Sequence, residues 1–186
     1  MPNFATIAFL DTLELAGSLR TRWGQFKVEE PGHRILRVRG HAKGSEPSDD
    51  RFGAYPVAQK WVELATLRSQ ITRRAEQILP PGVEFGLIFF EMLDPGAQLD
   101  WNRETDAYFG RWTRAILPLR TNPATLLIYG IETASPGAGF LTIVSPRLPH
   151  AAINMGENPW VWLTVDFRRK SDPEQIREPV ASQAGG

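Results

Sequence analysis

From residue 82 to residue 167 the chain passes through short runs of β-forming residues, at 83–92, 112–119, 125–131, 139–144 and 160–167. Pro, Gly and Asn turns separate them, and no helical repeat intervenes. Parallel strands need a long crossover connection, usually a helix, so consecutive strands of this kind exclude a mainly parallel sheet. An antiparallel sandwich or jelly roll is predicted, mainly β, with helices from the N-terminal part covering one face. The sequence holds no internal repeat.

Two helices are expected before that region. Leu15, Leu19 and Trp23 recur at four-residue spacing after Asp11 or Thr12, either of which can cap a short amphipathic helix. Val57, Trp61, Leu64, Leu67, Ile71, Ala75 and Ile78 recur at intervals of three and four, with Arg and Glu opposite. That pattern places a longer helix from Pro56 until Pro80-Pro81-Gly82 stops it. The segment 40–53, rich in Gly, Ser, Asp and Pro, reads as a polar loop. At 186 residues the chain has room for one well-buried core, so one domain over 1–168 is expected, with 169–186 a polar, disordered tail.

Composition removes several functions. The 21 basic and 21 acidic residues cancel, and no basic run is long enough for a nucleic-acid or membrane-surface patch. The cluster Arg34-Ile35-Leu36-Arg37-Val38-Arg39 reads as a strand with a solvated face. Without cysteine there is no disulfide, thiolate metal site or thiol nucleophile. No leader pattern and no stretch near the roughly 20 apolar residues of a membrane span are present, so a soluble, cytoplasmic protein is expected. A homodimer is left open. Gly137-Ala138-Gly139 is too short for a phosphate cradle and reads as a hairpin loop. His33 and His41 adjoin Gly and polar residues and are expected at the surface.

Alternation divides the last strand into two faces. Val161, Leu163, Val165 and Phe167 should pack against the N-terminal helices, so Trp160, Trp162, Thr164 and Asp166 should point into a barrel. The same rule sets Trp112, Arg114 and Ile116 on one face of an earlier strand. Trp160 and Trp162, with Trp101 or Trp112, are predicted to bind a planar or cationic ligand or to fill the barrel.

Four segments, in order, carry a resemblance: Leu93-Asp94-Pro95-Gly96, Asn102-Arg103-Glu104, the run from Arg114 to Pro123, and Pro149-His150 through Asn154. Together they resemble the aspartyl/asparaginyl β-hydroxylase and proline hydroxylase group of iron(II)- and 2-oxoglutarate-dependent oxygenases, over roughly residues 35–167. The resemblance implies a double-stranded β-helix, cupin-like, with iron on a His-x-Asp element and a later His, and an Arg about ten residues beyond it clamping 2-oxoglutarate.

His150 stands at the distal ligand position and Glu104 at the carboxylate. Asn102 replaces the proximal His, and an amide oxygen is a weaker, neutral donor. Trp160 stands where the cosubstrate arginine is expected, and an indole cannot pair bidentately with a carboxylate. Arg114 matches a second 2-oxoglutarate arginine of the β-hydroxylase branch, but Ile116 replaces its companion His.

Three functions follow. The first is a diverged oxygenase-like protein with no metal or cofactor, which binds or transforms a small molecule in its barrel by a reaction such as cyclisation or isomerisation. His150, Glu104 and Arg114 would then be base, acid and anion anchor, and Asn102 would line the substrate pocket with the tryptophans. The second is an active hydroxylase using Fe(II) and 2-oxoglutarate, with iron on His150, Glu104 and Asn102. The third is a non-catalytic interaction module with a filled core.

Overall fold

In a computed structural model the described residues are 4–42, 51–56, 61–77 and 82–170. Of the expected tail, 169–186, Arg169 still belongs to a strand and Lys170 donates its N–H to the Gly82 carbonyl at 2.9 Å, while 171 onward, the middle of the polar loop (43–50), and Val57, Ile78, Pro80 and Pro81 lie outside the described residues. No helix among the described residues is long and apolar enough to cross a membrane.

The strands are β1 (Phe4–Phe9), β2 (Lys27–Glu30), β3 (His33–His41), β4 (Phe52–Ala54), β5 (Val83–Leu93), β6 (Gln98–Asn102), β7 (Thr113–Arg120), β8 (Thr125–Tyr129), β9 (Glu132–Ala134), β10 (Phe140–Val144), β11 (His150–Asn154) and β12 (Trp160–Arg169). Among the described residues they form two sheets. The larger runs β1-β10-β7-β12-β5-β3-β2, with β4 on β3, and the smaller runs β6-β11-β8-β9; every pairing is antiparallel. From β5 onward the chain passes back and forth between the sheets, which winds it into a double-stranded β-helix.

Helix α1 (Leu13–Arg20) starts two residues after Asp11, whose carboxylate accepts the Leu13 N–H at 3.1 Å, and buries Leu15 and Leu19. Trp23 falls in a separate 3-10 turn. Helix α2 (Val62–Glu76) buries Leu64, Leu67, Ile71 and Ala75. It begins later than Pro56, after Trp61, whose extended backbone precedes the first turn. Trp61 donates its indole N–H to Ser18 at 2.8 Å and so ties the helices together. A single turn, α3 (Tyr108–Arg111), also stands between β6 and β7, where an unbroken series of strands was expected.

Alternation on the central strands makes two cores. Val161, Leu163, Val165 and Phe167 of β12, Ala115, Leu117 and Leu119 of β7, and Ile88, Phe90 and Met92 of β5 face the helices. Trp160, Trp162, Ile116 and Leu93 turn the other way and meet Leu127, Tyr129 and Ala152 of the smaller sheet. The expected division of β12 therefore holds, with the tryptophan face inside the barrel.

Asn154 ends β11 fully buried. Its amide donates to the carbonyls of Leu93 at 2.9 Å and Asn158 at 2.9 Å, and its oxygen accepts from Asn122 at 3.1 Å and Gly156 at 3.1 Å. It fastens three chain segments at one end of the barrel, away from the cavity described next.

Candidate functional site

Between the sheets lies a cavity of about 420 Å³, within the size range of small-molecule sites. The smaller sheet supplies one wall, with Trp101, Asn102, Tyr129 and His150, and Glu104 follows β6. The larger sheet supplies the other, with His33, Phe89, Glu91, Arg114, Ile116, Trp162 and Thr164. Of the residues singled out in the sequence, His150, Glu104, Arg114, Asn102, Trp162 and Trp101 share this one cavity.

His150 and Asn102 are direct partners across β11 and β6. The His150 ring lies 2.8 Å through Nδ1 from the Leu148 carbonyl, which can only accept, so Nδ1 carries a proton and, in the neutral ring, the lone pair is on Nε2. The ring stacks on Tyr129 with centroids 4.9 Å apart and planes 8° from parallel. Asn102 Oδ1 accepts the Arg103 N–H at 2.7 Å, and Asn102 Nδ2 donates to Glu104 Oε1 at 3.3 Å. Its amide is thus engaged at both ends. Asn102 and Trp101 are exposed and mark the mouth.

Arg114 departs from its expected role as a free anion anchor. It is the cross-strand partner of Asp166, and its guanidinium pairs bidentately, Nε to Oδ1 and Nη2 to Oδ2, both at 2.8 Å. Burial alone would lower the arginine pKa, but the Asp166 charge outweighs it and holds the group above its ordinary value. Tyr108 donates to Asp166 Oδ2 at 3.0 Å and accepts the Leu87 N–H at 3.1 Å. Burial, reinforced by the Asp166 charge, raises the Tyr108 pKa and keeps it a neutral donor. Gly86 admits this cluster, since a Cβ there would collide with the Tyr108 hydroxyl and approach the Trp112 ring.

Trp112 and Trp160 do not line the cavity. Trp112 precedes β7, so the strand's alternation does not reach it; it stacks on Tyr108 with centroids 5.4 Å apart. Trp160 is fully buried among apolar neighbours and fills the barrel end, with its ring 4.6 Å from that of Trp162.

His33 and Glu91 also enter the cavity, against or beyond the expectation from the sequence. His33, expected at the surface, is 7 % exposed, because the alternation of β3 turns it and Ile35 into the barrel. Glu91 interrupts the apolar run of β5, and such a carboxylate signals a buried polar partner. Its Oε2 accepts from Trp162 Nε1 at 2.8 Å and Thr164 Oγ1 at 2.6 Å. Burial would raise the Glu91 pKa, but the neighbouring His33 and Thr164 side chains and the Arg114 charge outweigh it, so it lies below the ordinary glutamate range and Glu91 is ionised at neutral pH. His41 is also drawn inward, packing against Phe52 at 5.1 Å and Tyr108 at 5.9 Å.

No protein-family model matches the sequence, and no curated protein matches it. Solved structures do. An oxidoreductase of the 2-oxoglutarate–iron(II) oxygenase family from Burkholderia pseudomallei superposes with a TM-score of 0.63 at 11% identity, over 83% of this chain and 78% of that one. The fold is the one such oxygenases have. The non-heme α-ketoglutarate-dependent epimerase SnoN from nogalamycin biosynthesis gives a TM-score of 0.62 at 11% identity, over 98% and 87% of the two chains. A prolyl-4-hydroxylase from Pseudomonas putida gives 0.54 at 23%, over 91% and 94%. At these identities the likeness concerns architecture alone.

Proposed function

We propose that the barrel cavity binds and transforms a small molecule without iron or 2-oxoglutarate, in a chain diverged from the aspartyl/asparaginyl β-hydroxylase and proline hydroxylase group. The observation that carries this reading is the Arg114–Asp166 pair. A dianionic cosubstrate needs a cation, and the arginine at hand is already neutralised by a buried carboxylate. The remaining charged lining consists of Glu30, Glu91, Asp100 and Glu104, which repel a dianion.

The donor set for iron fits equally poorly. A mononuclear iron site of this fold takes two imidazoles and one carboxylate. Here His150 Nε2 and Glu104 are at hand, but the third position is an amide whose oxygen already accepts a backbone N–H. The second reading, an active hydroxylase with iron on His150, Glu104 and Asn102, draws on that same His150–Asn102 register pair and on the fold. An interaction module expects a filled barrel, which a cavity of about 420 Å³ argues against.

In the metal-free reading His150 accepts a proton through Nε2 while the Leu148 carbonyl fixes its tautomer. Glu104, held by Asn102, is the second proton-transfer group. Cyclisation or isomerisation needs no more than such a pair, one group removing a proton and the other returning one. Trp101 and Trp162 bound the substrate, and Arg114 shapes the wall through Asp166.

Anaerobic calorimetry of metal-stripped protein with 2-oxoglutarate, in the presence of manganese(II), tests this directly. No saturable heat is expected up to millimolar cosubstrate. Tight binding that His150→Ala abolishes would establish the hydroxylase reading instead.

A further inference from the structure

Glu91 and His33 form a second polar centre on the wall opposite His150, and the proton-transfer pair makes no use of it. Glu91 Oε2 is filled by Trp162 and Thr164. Its Oε1 faces His33 Nε2 at 3.4 Å, a contact without hydrogen-bond geometry. The His33 nitrogen is therefore a polar atom in a residue 7 % exposed that lacks a hydrogen bond. Leaving such an atom unsatisfied is costly, so the arrangement is suited to being completed by a ligand.

Glu91 Oε1 is anionic, and His33 Nε2, 3.4 Å from it, is a second acceptor in the tautomer that carries its proton on Nδ1, so together they match a group with several N–H donors and a positive charge. The walls agree. Phe89, Tyr129 and Trp162 line the same cavity, and aromatic faces attract cations. We propose that Glu91 and His33 receive the ammonium or amidinium end of a small cationic substrate, whose remainder extends toward His150 and Glu104. This rests on the reading that the cavity serves a small molecule without 2-oxoglutarate.

The test is calorimetry of the intact protein with three probes of one shape: benzylamine, benzyl alcohol and benzoate. Charge-assisted hydrogen bonds favour benzylamine over benzyl alcohol by about tenfold or more, and benzoate should give no saturable heat. Glu91→Gln, which keeps an oxygen for Trp162 and Thr164, should erase the preference by weakening benzylamine about tenfold more than benzyl alcohol. Because that variant can lose stability, its folding is checked by circular dichroism before the comparison is read. Benzoate binding as well as benzylamine, binding of none of the three, or a preference that persists in a folded Glu91→Gln variant would each overturn the proposal. A failure here with no 2-oxoglutarate binding removes only the cation site, whereas manganese-dependent 2-oxoglutarate binding removes the reading beneath it.

Discussion

Replacing Arg114 by Met should lower the unfolding free energy by about 3–5 kcal/mol, the range found when one partner of a buried ion pair is removed. Asp166 is fully buried and the Arg114 side chain only 11% exposed, so the carboxylate left behind has no water to turn to. Tyr108 still donates to it, but one neutral hydrogen bond does not replace a bidentate cation. The partly exposed Arg34–Asp94 pair makes a useful contrast: despite a 2.6 Å contact, Arg34→Met should cost no more than about 1 kcal/mol. Urea unfolding of both variants checks the difference. Adding Asp166→Asn to Arg114→Met should recover part of the loss, because the uncompensated charge is gone. Equal, small losses in the two arginine variants would show that the pair does not hold β7 to β12.

Trp160→Ala should cost about 3–5 kcal/mol, as large-to-small changes of a fully buried aromatic do. It packs against Trp162 in the barrel core, and the surrounding β-sheet cannot collapse into the space. Trp160→Phe separates volume from polarity. The Trp160 indole N–H is buried without a hydrogen-bond partner, so its removal offsets part of the lost packing and the phenylalanine variant should lose less than about 1.5 kcal/mol. Thermal and urea unfolding distinguish the two. A position that merely lined an open pocket would tolerate alanine.

How much of this could be read in the sequence depended on the range of the interaction. The two faces of β12 and the helix-facing residues of α1 and α2 were legible because alternation and the 3.6-residue period are local. The order of the motif segments singled out His150, Glu104, Asn102 and Arg114, and alternation singled out Trp162, but their meeting with Trp101 in one cavity follows from the pairing of the strands. What escaped depends on register across strands. Asp166 stands opposite Arg114 only because β12 and β7 align so, and 52 residues separate them. The sequence did contain a hint, since an acid in Trp-Val-Trp-Leu-Thr-Val-Asp-Phe needs a buried partner.

His33 was misplaced for a related reason. Its neighbours Gly32 and Arg34 suggest a turn at the surface, and Gly32 does adopt a positive φ of 76° there. Yet β3 lies between β2 and β5 in the larger sheet, so its first inward side chain enters the barrel. Trp112 failed in the opposite direction, because the single turn α3 takes it out of the strand whose alternation seemed to include it.

In the proposed metal-free reading, the amide of Asn102 stands where a second imidazole would complete an iron donor set with His150 and Glu104. Manganese(II) binding, followed by electron paramagnetic resonance on metal-stripped wild-type protein and on Asn102→His, measures that directly. Asn102→His supplies the second imidazole beside His150 and Glu104, and should bind the metal at least about tenfold to a hundredfold more tightly than wild type. Tight binding by the wild-type protein, lost in His150→Ala and unimproved by Asn102→His, would contradict the account.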